Sequence, residues 1–478
     1  MNKESLRTQF AGIKDDATRL KAEGKLSPEA LTLMCSLIAL FEIMVSVFLE
    51  KTTRKNSTNS SIPPSQTEKD NSSVKSGSNP TGRSGKGQAN NFREVETEEI
   101  RAVTDCEVCG ADLTRVSVVT TETRTKIDIL FEKQIHRVVA EVKHCSQCDT
   151  SNKGKFPPDM AGPLHYGSGL KSYILNLLIA QMVPLKRCQQ MIKAMIGQTI
   201  AESTLLSYML KLGEALARWE QLAIAELLAS PVIHVDETSM RVSRKKQWVH
   251  VHTAGSITVK LLHPKRGKEA IEHNGVIPRY GGIIVHDCWA SYLTYNNCGH
   301  GLCGAHLVRE LAFIVESNEH RWAAQLKKLL LDTCKAVSDS ENKVLSESDY
   351  ARFQKRYRTI LTHGAKEMPA PLEKQPGQAG RVAQSDAQNL LGRLKKHETA
   401  VLLFAREKYV PFTNNQAERE LRMGKVKQKV SGCFRSETCA AAYCRISSYL
   451  QTMSALGYNP LAAIQMAFTG ELYEVWGE

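Results

Sequence analysis

The sequence has no apolar run behind its charged start, "MNKESLRTQF", no internal repeat at periods of roughly 20 to 50 residues, and no long hydrophobic stretch free of charge. The first absence argues against a secretory leader and makes the cytoplasm the expected compartment. The second excludes solenoids and propellers. The third bears on membranes. Leu31 to Leu49 ("LTLMCSLIALFEIMVSVFL") has the length to span a bilayer, but it carries Glu42 at depth with Thr32, Ser36 and Ser46. A central acidic residue costs about 2.5 to 3.5 kcal/mol on insertion scales. A buried or self-associating helix is expected there, and no membrane partner. A disulfide framework is missing too, because thirteen cysteines is an odd number and nothing marks the chain as secreted.

What is present is size and positive charge. At 478 residues the chain has room for roughly two to four domains, the largest able to bury a core without disulfides. Its formal net charge is +13 and its pI about 9.1, which favours a polyanionic partner.

Residues 1–52 read as helices, with Ser27-Pro28-Glu29 supplying an N-cap, a first-turn proline and an acidic residue at the positive end of the dipole. From 53 to 98 the composition collapses into Ser, Asn, Lys, Gly and Pro, which reads as a disordered basic linker. Residues 99–160 carry two cysteine pairs. Residues 161–229 contain three helical patterns: "GLKSYILNLLIAQMV", "LKRCQQMIKAMI" and "ESTLLSYMLKLGEALARWEQLAIAELL". The last two, joined by "GQTIA", have the length and turn of a helix-turn-helix, or equally of an ordinary three-helix packing unit. At Pro231 the period changes. "PVIHVDET", "QWVHVHTAG" and "ITVKLLH" are short strands at hairpin spacing, followed by helical "KEAIEHNG", strand "GGIIVHDCWASY" and strand-then-helix "HGLCGAHLVRELAFI". This predicts a mixed α/β layer over 230–439, interrupted by a charged helical insertion at about 315–411, with a helical tail over 440–478.

"CEVCG" and "CSQC" place Cys106, Cys109, Cys145 and Cys148 in two CxxC turns. Zinc takes four tetrahedral soft ligands and each turn offers two thiolates on one side, so a closed structural zinc site is expected. The β-like segments "LTRVSVVTTETRTKIDIL" and "IHRVVAEVKH" lie between the pairs, and His136 and His144 read as bystanders. Such a module would present Arg115, Arg124 and Lys126 to a phosphate backbone.

Asp236 follows the apolar "VIHV" and Asp287 follows "GGIIVH", each placed at the C-terminal end of an expected strand. Adjacent strands would bring the two carboxylates together, where hard oxygen ligands suit magnesium or manganese. Two such ions about 3.5 to 4 Å apart serve in-line phosphodiester displacement, and holding them needs a third carboxylate. Glu418 is the candidate. Taken locally, "NQAE" has capping-box spacing, with Asn415 as N-cap and Glu418 reaching back to it. Glu420 is a competitor, but it points about 200° around the helix from Glu418.

"VIHVDET", "HPKRGKEAI", "GGIIVHDCWASY", "CGAHLVREL" and "FTNNQAERELRMGKVKQKVSGCFRS" together resemble the DDE transposases of bacterial insertion sequences, the IS-sixty-six family. The linker's "NSSIPPSQ", the paired CxxC turns and "LGYNPLAAIQMAF" resemble the same family. The resemblance implies a multidomain α+β chain with a ribonuclease H-like catalytic core and a helical insertion, preceded by N-terminal helices, a zinc-ribbon-like module and a helical DNA-binding region. It implies Asp236, Asp287 and Glu418 as catalytic ligands of two magnesium or manganese ions. Cys303 and His306 match a Cys-x-x-His string that many such enzymes carry, with a role near the active site or a buried structural one. Arg419, Arg422, Lys425, Lys427 and Lys429 would face DNA or form a solvated basic face. The implied partners are transposon ends, target DNA, at least one further copy of the chain through the N-terminal helices, and accessory transposition proteins. The implied activity is end recognition, DNA cleavage and strand transfer. A non-catalytic DNA-binding regulator and a nuclease without strand transfer are the alternatives.

Overall fold

The computed structural model describes residues 3–25, 27–53, 55–60, 99–124, 126, 132–160, 162–368 and 384–472. Most of the expected linker, and the proline-rich break in the helical insertion, lie outside them. The chain divides into two units, Met1–Thr67 with Val138–Glu478, and Glu68–Arg137. This division falls inside the expected four-cysteine module, so each cysteine pair belongs to its own unit.

In the smaller unit Cys106 opens a tight turn: its N–H donates to the Ala111 carbonyl at 2.9 Å, and Gly110 N–H donates back to the Cys106 carbonyl at 2.8 Å. The strand expected beyond it is not formed among the described residues. Val116, Val118 and Val119 are exposed, so alternating apolar residues without a face to bury against do not make a sheet.

The larger unit begins with α1 (Lys3–Ala22) and α2 (Pro28–Thr52), reversed at Gly24 with φ 63°. Glu50, near the end of α2, is buried and accepts from the N–H groups of Asp386 (2.7 Å) and Ala387 (3.1 Å). Its carboxyl is pushed up, by burial above all. A short hairpin, β1 (Val142–His144) with β2 (Ser151–Lys153), frames the second cysteine turn. Then come α3 (Ser168–Leu175), which runs into a π-helical turn over Asn176–Ala180, α4 (Leu185–Ile196), α5 (Glu202–Ala215) and α6 (Ala217–Ala229). The long third helix expected from sequence is broken at Leu216 (φ −84°, ψ 3°). The break lets Leu212, Leu216 and Trp219 all be fully buried, with Trp219 edge-on to Tyr449 at 5.2 Å. No helix among the described residues is long and apolar enough to cross a membrane.

A five-stranded sheet follows: β3 (Val232–Val242), β4 (Lys245–Ala254), β5 (Ile257–His263), β6 (Ile283–His286) and β7 (Gly299–Leu302), with α7 (Lys268–Asn274) between β5 and β6. Its order is β5-β4-β3-β6-β7, with β3, β4 and β5 antiparallel and β6 and β7 parallel to β3. β3 runs four residues beyond Thr238, where "PVIHVDET" stops. It turns on Ser243 and Arg244, both at positive φ (48° and 65°), a two-residue hairpin geometry usually carried by Asn-Gly.

Beyond β7, α8 (Gly304–Asn318), α9 (Arg321–Asp339), α10 (Glu347–Glu367), α11 (Asp386–Lys396) and α12 (Glu398–Leu402) build a second core around Trp322, Leu326, Tyr357 and Leu394. The chain returns to the sheet as α13 (Asn415–Ser431), α14 (Glu437–Ala455) and α15 (Pro460–Thr469). α14 is a core element where a tail was expected. It covers the open edge of β5, whose Thr258 and Lys260 N–H groups donate to Thr452 Oγ1 (3.1 Å) and Ser448 Oγ (2.9 Å), one helical turn apart. An exposed strand edge invites foreign pairing, and two hydroxyls here take its free donors.

Lys260 is buried under the same helix with its Nζ on Ser447 Oγ at 3.0 Å, and burial pushes its pKa down to about 8. The folded state therefore disfavours its charge, a penalty present in full below pH 8 and relieved as pH rises from about 8 toward the unfolded value of 10.5. Lys260→Met is expected to stabilise the protein at pH 7 by about 1 to 3 kcal/mol. Denaturant melts of both proteins at several pH values should show the gain shrinking above pH 8, and a gain independent of pH would contradict this account.

Candidate active site

Asp236 sits in the middle of β3, not at its end as the sequence suggested. Its cross-strand partner is Val251, which pairs in turn with Lys260, so these three share one sheet face. β3 and β6 pair in parallel with His234 opposite Val285. Carried two residues further, that register sets Asp236 level with Asp287, the first residue after β6. The turn at Asp287 is tightly made: its Oδ1 accepts from Trp289 N–H at 3.1 Å, and Cys288 N–H donates to His286 Nδ1 at 3.2 Å. Cys288, between them, lies at φ 67° in the left-handed region.

Glu418 is brought in by the start of α13. The expected capping box is absent, and the N-cap is Asn414, whose side chain caps nothing. Asn414 is fully buried. Its Nδ2 donates to the Val235 carbonyl at 2.8 Å, its Oδ1 accepts from His234 Nδ1 at 2.9 Å, and its N–H donates to Cys303 Sγ at 3.2 Å. One turn further along, Glu418 stands over the Asp236 face. Asp236 is held well above the usual carboxylate range, first by burial, then by the charges of Glu237, Asp287 and Glu418. Glu420 lies toward β5 and not β3: its charge acts on Lys260, and its Oε1 meets Arg419 at 3.3 Å.

Cys303 and His306 join the same cluster. Cys303 is the N-cap of α8, and His306 Nδ1 lies 3.5 Å from Glu418 Oε1, with Arg309 Nη2 at 4.0 Å from that oxygen. His306 is pushed toward its neutral form by burial and by Arg309. Glu418 Oε1 and His306 Nδ1 are both buried and neither makes a hydrogen bond. Buried polar atoms left in this state are rare in folded proteins. The ligand atoms that approach within 4.8 Å of one another are those of Cys303, His306 and Glu418, and Asp236 and Asp287 are the neighbouring hard oxygen donors of a kind that a divalent cation would take.

Sequence reasoning missed the opposite face. Glu237, the next residue on β3, is buried and accepts from Tyr292 Oη at 2.6 Å and from the Arg266 guanidinium, with Nε at 2.6 Å. Arg266 lies between the indoles of Trp248 (5.0 Å) and Trp289 (4.3 Å). A pair of imidazoles, His286 buried and His300 half-buried, backs the Asp287 turn: His286 Nε2 donates to His300 Nδ1 at 3.1 Å and His300 Nε2 donates to the Tyr295 carbonyl at 2.8 Å. The one available signal was the unbroken "DE" pair, since neighbours on a strand face opposite ways.

The basic residues of α13 separate into two groups. Arg419, Arg422 and Lys429 are exposed. Lys425 and Lys427 are half-buried and engaged within the fold, Lys425 Nζ on the Ser239 carbonyl at 2.7 Å and Lys427 Nζ on the Leu178 carbonyl at 3.0 Å. These two do not face outward as expected, and burial pushes Lys427 down to about 8. The two cysteine turns are alike. Cys106 and Cys145 are both shifted toward the thiolate, chiefly by the backbone N–H groups of Cys109 and Cys148 respectively. His144 is taken by Asp149 at 2.7 Å, and His136 is exposed.

Gly304, in "CGAH", has the Phe412 ring packed against its Cα, and a Cβ there would overlap that ring. Its N–H donates to the Phe412 carbonyl at 2.7 Å. Gly304→Ala is therefore expected to cost about 1 to 3 kcal/mol despite alanine's better helix propensity, with Phe412→Leu recovering most of the loss in the double variant. Urea denaturation of the four-member cycle checks this, and additive losses would mean the two residues do not clash.

No curated protein sequence matches the chain. The model of the family described as Transposase IS66 family matches residues 164–442, more than half of the chain, taking in the sheet, the helical insertion and the cluster of Asp236, Asp287 and Glu418. The chain belongs to the transposase IS66 family.

Proposed function

We propose that this transposase binds the ends of its element, cleaves DNA there and joins the freed 3′ hydroxyl to target DNA, with Asp236, Asp287 and Glu418 as the metal-holding carboxylates. The observation that carries the reading is the parallel register of β3 and β6, which sets Asp236 level with Asp287, together with the charge of Glu418 acting on Asp236. The strand order, three antiparallel strands flanked by two parallel ones, supports a ribonuclease H-like core. Asp236, Asp287 and Glu418 would hold a pair of magnesium ions, which would supply activation of the attacking oxygen and stabilisation of the leaving one.

The chain's own residues do the positioning. Asn414 fixes the height of Glu418 above β3, the Asx turn holds Asp287, and Tyr292 with Arg266 holds Glu237 out of the cluster. Arg419, Arg422 and Lys429 extend from the same helix as Glu418 and supply the nearest candidate contacts for phosphate. α4 with α5 remains the candidate helix-turn-helix. The exposed apolar residues Leu33, Leu37, Leu40 and Met44 of α2 make the N-terminal helices the place for self-association. Each cysteine turn offers a thiolate pair of the kind structural zinc takes.

The test uses the full chain and Asp236→Ala with a labelled end fragment and a target plasmid, in magnesium or chelator. Cleavage and joined product should appear only with the metal, and Asp236→Ala should lose activity on the order of a thousandfold or more while still binding DNA. Cleavage without joining would favour a nuclease. Binding without cleavage in either protein would favour a non-catalytic regulator. Affinity for the end fragment should fall linearly on a log–log salt plot with a slope of about −0.9 per phosphate contact. Arg422→Ala should flatten that slope, and an unchanged slope would remove Arg422 from the DNA surface.

A further inference from the structure

We infer that Cys303, His306 and Glu418 form a second, thiophilic cation site that takes a zinc-class divalent ion and shares its carboxylate with the hard-metal cluster. One ligand atom from each residue falls within 4.8 Å of the other two, and His306 Nδ1 and Glu418 Oε1 are 3.5 Å apart. Tetrahedral zinc with bonds of about 2.0 to 2.3 Å sets its ligand atoms roughly 3.2 to 3.8 Å apart, so a small side-chain adjustment closes the site. Three protein ligands leave a fourth position for solvent.

The local structure prepares each donor. Cys-x-x-His at a helix start puts both side chains on one side of the first turn of α8, as in other zinc knuckles. Cys303 Sγ already accepts from Asn414 N–H at 3.2 Å; burial pushes its thiol up, and the N–H groups of Asn414, His306 and Ala305 offset part of that rise. His306 Nδ1 makes no hydrogen bond and is free to give its lone pair to a metal. Arg309, 4.0 Å from Glu418 Oε1, is the resident positive charge and would be displaced or screened by the ion. On binding, the Cys303 thiol releases its proton to solvent.

A hard cation has little use for a thiolate and an imidazole, whereas zinc or cobalt prefers them to carboxylates and water. An ion seated here draws Glu418 away from Asp236 and Asp287. Zinc would then act as a brake on the magnesium reaction, a consequence that rests on the catalytic reading of Glu418, whereas the cation site itself does not.

The probe is Co²⁺, titrated into metal-stripped full-length protein while thiolate-to-cobalt charge-transfer absorption is followed. The wild-type chain should bind one more equivalent than Cys303→Ser, with the thiolate turns at Cys106 and Cys145 contributing equally to both. About a hundredfold excess of magnesium should leave the extra equivalent in place. Equal stoichiometry and equal spectra in the two proteins would overturn the proposal. Cys303 is buried, so circular dichroism melts accompany the titration. If Cys303→Ser is misfolded, His306→Ala carries the same two outcomes: a loss of affinity for that equivalent by about tenfold or more supports the site, and no change overturns it. Zinc inhibition of cleavage relieved in His306→Ala would support the shared carboxylate, and cobalt binding without zinc inhibition would leave the site standing while removing Glu418 from the reaction.

Discussion

The buried side chain of Asn414 fixes where α13 begins, and the placement of Glu418 depends on that. A buried primary amide must find partners for its donors and acceptor or lose about 1 to 3 kcal/mol for each one missing. The Asn414 side chain finds them on β3, at the Val235 carbonyl and His234, while its backbone N–H donates to Cys303 at the start of α8. Three segments far apart in sequence are thus pinned at one point. A helix started one residue earlier or later would rotate by about 100° and carry Glu418 off the Asp236 face.

Charge on the two faces of β3 is handled differently, and that contrast supports the proposed site. Glu237 is matched by a guanidinium and a phenol, which balance a buried carboxylate at the cost of a fixed geometry. Asp236, on the other face, sees three more carboxylates and one arginine that is 4.0 Å from Glu418. The same fold that gives Glu237 a guanidinium and a phenol, which offset part of the rise that burial and Asp287 cause, gives its neighbour's cluster less. Stable proteins tolerate this where a ligand completes the balance.

Much of this was readable from sequence, and the failures have identifiable causes. The strands announced themselves by β-branched runs, and the switch from antiparallel to crossover connections followed from the hairpin spacing and the intervening helix. The end of β3 was misplaced because Ser243 and Arg244 adopt positive φ without the Asn or Gly that usually signals it. The capping box was a local pattern overridden by tertiary partners: Asn414, one residue upstream of Asn415, had a buried strand to bind, and a capping hydrogen bond is a weaker draw. α14 looked like a tail because serines and threonines interrupt its apolar positions, yet those hydroxyls are what close the β5 edge. Lys425 and Lys427 read as DNA contacts because charge is visible in a sequence and a buried carbonyl partner is not. The spacing of Cys303 and His306 was legible, but their approach to Glu418 depends on α8 and α13 meeting, which no local window contains.

That meeting has a chemical consequence for a metal-dependent transposase. Magnesium binds through oxygen, keeps much of its water and is present in cells at far higher free concentration than zinc, so a pure carboxylate site is loaded by abundance and not by affinity. A thiol and an imidazole placed on the third carboxylate invert that selection locally, since each raises affinity for the scarcer, softer ion without helping the hard one. The helix that carries Glu418 toward Asp236 also carries it toward Cys303, and Asn414 ties that helix to both neighbours, its side chain to the Val235 carbonyl of β3 and its backbone N–H to Cys303 Sγ. Metal identity and helix position are therefore linked: any shift of α13 that improves one set of donors moves the shared oxygen relative to the other.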